Sequence, residues 1–148
     1  MAPIVATIEI ERSQEDVFAY LDDLARHGEW QELLVSTDVQ TEGPTRVGSR
    51  AMDTRRVPGG RTIQVTYEIV EHDPPRRSAF RGVDGPIPVV GSVNVEPAGE
   101  GRSRVTLELD FEHRGLAGLF MAPIAKSQAR KQVPKDQQKL KELLEAGA

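Results

Sequence analysis

The chain contains no cysteine. Disulfide frameworks, thiolate metal sites and cysteine nucleophiles are therefore excluded, and its 148 residues must fold without covalent staples, which a domain of this length does. Aromatic residues are few, with four Phe, two Tyr and one Trp. Long apolar runs are also missing. The longest mostly apolar stretch, Leu116 to Ala125, is about half the roughly 20 residues that a spanning helix needs. The opening MAPIVATIEIERS has no basic start, and Glu9 and Glu11 interrupt its apolar residues, so it does not read as a secretory signal and cytoplasmic residence is the expectation. Positive charge is not in excess. Lys and Arg number 19 against 23 Asp and Glu, a net −4, which argues against nucleic acid as a partner because phosphate binding depends on many basic groups.

What charge there is lies unevenly. Residues 1–45 hold ten acids and two bases, a balance of −8, which leaves +4 for the remainder. Such a division predicts faces of one domain that attract each other, rather than a basic edge kept for a partner.

The pattern along the chain changes period twice. Ile4, Ala6, Ile8 and Ile10 alternate with Val5, Thr7, Glu9 and Glu11, which predicts a half-buried strand. Ser13, three residues before Asp16, then resembles a capping box, and Val17, Phe18, Leu21 and Leu24 recur at helical spacing. This helix is expected to stop near His27-Gly28, with a short second helix or turn over Glu29 to Leu34. From about Val35 to Arg114, strands are separated by breaks at Glu42-Gly43-Pro44, Val57-Pro58-Gly59-Gly60, Asp73-Pro74-Pro75, Asp84-Gly85-Pro86 and Ala98-Gly99-Glu100-Gly101, the pattern of an antiparallel meander. Ile63, Val65, Tyr67 and Ile69 form one face of a strand, as do Val105, Leu107, Leu109 and Phe111, while Glu68, Glu108, Asp110 and Glu112 fall on the alternate faces toward water. After Gly115 the helical period returns through Leu116, Leu119, Phe120 and Ile124 to Val133, Leu140, Leu143 and Leu144, and Pro134 within it predicts a kink in one long helix. We read residues 1–148 as a single domain of α+β class.

One strand, two short helices, a six-stranded meander and a long C-terminal helix is the element order of the helix-grip fold, a curved antiparallel sheet of about seven strands around that helix. The residues also carry a family resemblance. Ile8-Glu9-Ile10 leading to Glu15-Asp16-Val17-Phe18, Leu21 and Asp22, then His27 to Trp30, Val47-Gly48-Ser49-Arg50, Glu71-His72-Asp73-Pro74-Pro75-Arg76 and Leu140 to Glu145, resembles the START-like (SRPBCC) superfamily, specifically its bacterial polyketide cyclase/dehydrase and lipid-transport group. The resemblance implies an apolar cavity between sheet and helix for a lipid, polyketide or related molecule. Some members catalyse and others only bind or carry, and the fold does not choose between them.

The chemistry in the sequence favours binding. His27, His72 and His113 show no metal-ligand spacing, and no glycine-rich phosphate loop or Gly-x-Ser-x-Gly turn is present, so no metal, cofactor or catalytic residue is assigned. A void of about 300 Å³ left empty would cost roughly 7 kcal/mol, so small inward side chains around a large space point to an occupant. The expected lining is Trp30, Val65, Tyr67, Val93, Leu107, Leu109, Phe111, Phe120 and Ile124. The alternative is a cyclase or dehydratase using Tyr67 and Asp53 with Arg55 or Arg81. If Asp53 faces inward, an arginine partner is required, because an unpaired charge in an apolar cavity is very costly. A third reading is a protein-interaction module acting through the stripe Lys131, Lys135 and Lys139. Expected partners are thus a hydrophobic small molecule and no nucleic acid, with no stable membrane insertion; a homodimer is compatible with the sequence.

Overall fold

Alternation is realised first in β1, Ile4–Ile10, where Ile4 and Ile10 are buried and Val5, Thr7 and Glu9 are exposed. The structure, a computed structural model, describes residues 3–84, 87–112 and 115–148. Six further strands follow: β2 Leu34–Val39, β3 Arg50–Val57, β4 Arg61–Asp73, β5 Arg77–Gly82, β6 Val89–Pro97 and β7 Ser103–Phe111. They form one antiparallel sheet in the order β1-β7-β6-β5-β4-β3-β2, so the first two strands of the chain lie at opposite edges. Every break predicted between strands coincides with a turn or loop, although Gly85 and Pro86 of the Asp84-Gly85-Pro86 break lie outside the described residues. At Gly59 and Gly60 the β3–β4 turn takes φ values of +94° and +77°, which glycine adopts without the clash a Cβ would bring.

Helix α1, Gln14–Asp22, starts where the capping signal stood: Ser13 Oγ accepts the Asp16 N–H at 3.2 Å. Its end differs from the expectation. The helix stops at Asp22 rather than near His27-Gly28, and Leu24–Glu29 forms a separate 3-10 helix. The last turn carries no base, and Asp22 and Asp23 sit at the negative end of the helix dipole. Thr45 Oγ1 donates to the Asp22 carbonyl at 2.8 Å, and the Asp22 carboxylate lies 2.9 Å from His72 Nε2, so these groups find partners outside the helix.

The C-terminal helix α2 runs unbroken over Gly115–Glu145 with Pro123 and Pro134 inside it. It packs on β1 and β7, while the 3-10 helix packs on β2, so the two sheet edges are bridged by helical elements on one face. The main core joins Ile10, Val17, Phe18, Tyr20, Leu21, Trp30, Val95, Val105, Leu140 and Leu144. A second cluster of Leu24, Ala51, Tyr67 and Ile69, with Phe80 against it, lies toward the β3–β4 side.

The lysines of α2 divide. Lys131, Lys135 and Lys139 are exposed as expected, whereas Lys126 is buried with its Nζ 2.8 Å from Asp110 Oδ1. Asp110 is therefore half-buried rather than simply wetted, and the hydrogen bond from Lys126 holds its carboxyl below the ordinary aspartate range.

Candidate functional site

The sequence left the facing of Asp53 open, and register decides it. On β3, Asp53 pairs with Thr37 of β2 on one side and Val65 of β4 on the other, and Ala51 pairs with Tyr67. Asp53 thus shares the inner face with Ala51 and Tyr67, both buried in the second core cluster. Its side chain is only 8% exposed. Thr37 Oγ1–H donates to Asp53 Oδ1 at 2.8 Å. Arg55, two residues on and so on the same face, donates from Nη1 to Asp53 Oδ2 at 3.4 Å and to Gln31 Oε1 at 2.8 Å. The arginine required of an inward Asp53 is therefore Arg55. Arg81 is on the outer side, largely exposed, in an ion pair with Glu112 at 3.3 Å.

Three further groups sense this pair. Tyr67 is buried and its hydroxyl has no hydrogen-bond partner among the described residues; burial first, and then the charge of Asp53, push the phenol pKa well above its usual 10.0. His27 donates from Nε2 to the Leu21 carbonyl at 2.8 Å and packs edge-on to Trp30, with ring centroids 5.7 Å apart. Burial lowers its pKa below the ordinary 6.5, against the backbone hydrogen bond and the charge of Asp53, which raise it. From α2, the buried Asp136 accepts the Glu32 N–H at 3.2 Å and a hydrogen bond from Gln132 Nε2 at 2.9 Å. Burial raises its pKa, while those hydrogen bonds and the charge of Arg55 lower it.

The indole Nε1–H of Trp30 is, with the Tyr67 hydroxyl, one of two buried side-chain polar atoms that lack a hydrogen-bond partner among the described residues. Buried donors are nearly always paired, so the Tyr67 orphan beside the Asp53–Arg55 pair and the Trp30 orphan in the main core each mark a place where an acceptor can be received. What the arrangement offers is donors: an indole N–H, a phenol that stays protonated, and a guanidinium held by Asp53 and Gln31. Among the described residues no group of three or more His, Asp or Glu side chains is arranged to hold a metal ion.

The nine residues expected to line the ligand space fall into four places. Tyr67 and Val65 belong to the Asp53 neighbourhood. Trp30 is in the main core, with Val93 and Leu107 partly buried against it. Leu109 opposes Gly91 and Phe111 opposes Val89 farther along the same inner face. Phe120 and Ile124 are not brought to that face. They are 73% and 63% exposed on the outer side of α2, where Ile124, Pro123, Ser127, Gln128 and Lys131 face Pro58 across an open groove of about 510 Å³.

Sequence reasoning missed Gln31, Thr37 and Asp136. Asp136 carried a usable signal, because it lies three residues after Val133 and four before Leu140 and so falls on the apolar stripe of α2. Gln31 and Thr37 carried none. Of the histidines, His72 is held by Asp22 and packs near Phe18, and His113 lies outside the described residues.

Known structures share this architecture. The protein TTHA0849 from Thermus thermophilus superposes with a TM-score of 0.80 at 21% identity, over 99% of each chain. A START superfamily protein from Mycobacterium smegmatis matches with a TM-score of 0.76 at 12% identity, over 97% of this chain and 99% of that one. The Zhui aromatase/cyclase from Streptomyces matches at 0.73 and 16%, over 93% and 87%. At these identities the likeness is one of fold. No curated protein sequence matches. Sequence and architecture nevertheless meet in one assignment, because the family model described as polyketide cyclase / dehydrase and lipid transport matches residues 1–145, and the chain belongs to that family.

Proposed function

We propose that the chain binds a hydrophobic small molecule of the lipid or polyketide kind within the curl of the sheet. Its apolar body lies over Val93, Leu107 and Leu109, and an oxygen-bearing end meets Tyr67 and Trp30 beside the Asp53–Arg55 pair. The observation that carries this reading is the orphaned Tyr67 hydroxyl beside the satisfied Asp53–Arg55 pair, with a second orphaned donor, Trp30 Nε1, in the main core. Leaving such groups buried without partners costs about 1–3 kcal/mol each, which an acceptor on a ligand recovers. Family membership supports the same class of ligand.

A second reading, a cyclase or dehydratase, is favoured by one specific observation: the inward Asp53 has an arginine partner at 3.4 Å. The Tyr67 phenol weighs against it, since a hydroxyl whose pKa is raised is a poor proton donor and a good hydrogen-bond donor at neutral pH. Binding therefore ranks first.

Native mass spectrometry and organic extraction of the purified full chain test the proposal. A co-purifying hydrophobe, or binding of the dye ANS that long-chain lipids displace, is the expected result. Absence of both overturns it. Turnover of a poly-β-keto thioester by the wild type, abolished in Asp53→Asn, would move the assignment to the second reading.

A further inference from the structure

Helix α2 presents a second, unrelated feature on its outer side. Leu116, Leu119, Phe120, Met121 and Ile124 are large apolar side chains, 44–74% exposed. Leu116, Phe120 and Ile124 follow at i, i+4 and i+8, so they form one stripe, which continues through Ser127 to the exposed Lys131 and, flanking it, Arg130 and Lys135. The stripe lies opposite the buried side marked by Gly118, Ala122, Val133 and Leu140. Between Gly115 and Lys141 the helix has a single acidic residue, Asp136, and that one is buried.

We infer that this face of α2 docks on the surface of an anionic lipid bilayer, with Leu116, Phe120 and Ile124 at the headgroup–acyl boundary and Arg130, Lys131 and Lys135 on the lipid phosphates. The order of the two halves is what selects the occupant. An apolar stripe that runs into a basic one along one helix face suits an anionic interface, which offers hydrocarbon and negative charge within a few ångströms of each other. A second copy of the chain suits it poorly. Parallel helices would oppose Lys131 to Lys131, antiparallel ones crossing near Ser127 would set lysine ammonium groups against Phe120 and Ile124, and antiparallel ones crossing at Phe120 would leave the basic half of the stripe without a partner. The whole chain carries −4, so general attraction to anionic vesicles is not expected and binding must come from the local patch. Docked in this way, the groove between Pro58 and Ile124 opens beside the lipid. The inference is independent of the ligand proposal, because it is read on vesicles alone.

Co-sedimentation of the full chain with phosphatidylcholine vesicles, and with vesicles in which phosphatidylglycerol replaces part of the phosphatidylcholine, tests it. Binding is expected to be at least about tenfold tighter to the mixed vesicles and to be lost between about 0.1 M and 1 M salt. Lys131→Gln with Lys135→Gln should weaken it about fivefold per charge, and Phe120→Ser with Ile124→Ser by at least about tenfold, with helix content by circular dichroism unchanged because all four side chains are exposed. Equal affinity for the two vesicle types, or variants that bind like the wild type, would overturn the inference. So would a dimer in size-exclusion chromatography that Phe120→Ser with Ile124→Ser converts to monomer, since the face would then belong to a second copy.

Discussion

Tyr67 and Trp30 each bury a polar atom without a hydrogen-bond partner among the described residues, and the consequence for Tyr67 is measurable. Tyr67→Phe removes the orphan while keeping the ring against Phe80, whose centroid is 5.4 Å away. In the ligand-free chain this substitution should raise stability in urea unfolding by about 1 kcal/mol, because a desolvated hydroxyl that gains nothing in return is deleted. A loss of stability would mean that the hydroxyl is satisfied. The same variant should weaken displacement of ANS by an oxygen-bearing lipid. His27 gives a prediction in pH. Burial lowers its pKa below 6.5, so as pH falls through about 6.5 the unfolded chain takes up a proton that the folded chain resists. Stability should therefore be constant with respect to this group above about pH 7 and decline toward pH 5.5. His27→Gln, which can still donate to the Leu21 carbonyl, should flatten the difference between wild-type unfolding curves recorded at those two pH values. Asp136 works in the opposite direction at lower pH, since its raised pKa makes the folded state the better proton acceptor, and comparison with the variant isolates His27.

At the level of elements, strong periodicity was legible and weak periodicity was not. β1 alternates in the fold as it does in the sequence, whereas β4 buries only Tyr67 and Ile69 of its expected inner face and leaves Ile63 at its open end 40% exposed, and β7 is fully buried only at Ser103 and Val105. β3 reads Arg-Ala-Met-Asp-Thr-Arg-Arg-Val, with a small residue and a charge on its inner face, so no hydropathy pattern announces which side is buried. That is why the polar centre of the candidate site stayed hidden: its facing comes from register with β2 and β4, a long-range property. The end of α1 was misplaced for a related reason, since Leu24 continues the helical spacing although the backbone has already turned at Asp23. β6 offers a test of how tightly the inner face is set. A Cβ on Gly91 would stand 2.6 Å from Leu109 Cδ2 and 2.7 Å from the Phe80 ring, closer than real contacts allow. Gly91→Ala should cost about 1–3 kcal/mol in denaturant unfolding, as overpacking does. It should also disturb the ligand site, because the Phe80 ring it displaces packs on Tyr67. Unchanged stability would show that the inner face is loose enough to absorb a methyl group there.

For the whole molecule, the division between an acidic first third and a basic remainder is resolved along the seam between β1 and β7. Glu9 pairs with Arg104 and Glu11 with Arg102, each at 3.2 Å, and Lys141 donates to the Glu9 carbonyl at 2.8 Å while Arg12 donates to the Leu144 carbonyl at 2.6 Å. The attraction expected from composition is thus internal, and it fastens the end of α2 to the first strand. Its energetic weight is small. The two carboxylate pairs are about half exposed on both sides, and exposed pairs contribute about 0–1 kcal/mol each. Cohesion instead rests on the apolar cluster that joins Ile10, Val17, Val95, Val105, Leu140 and Leu144, which salt does not screen. Raising sodium chloride from about 0.1 M to about 1 M should therefore change the free energy of urea unfolding by less than about 2 kcal/mol, even though the Debye length falls from about 10 to 3 Å. The same change of salt should abolish binding to anionic vesicles. If unfolding were instead strongly salt-sensitive, the charge asymmetry would be holding the molecule together, and loss of vesicle binding at high salt would report unfolding rather than screening of Lys131 and Lys135.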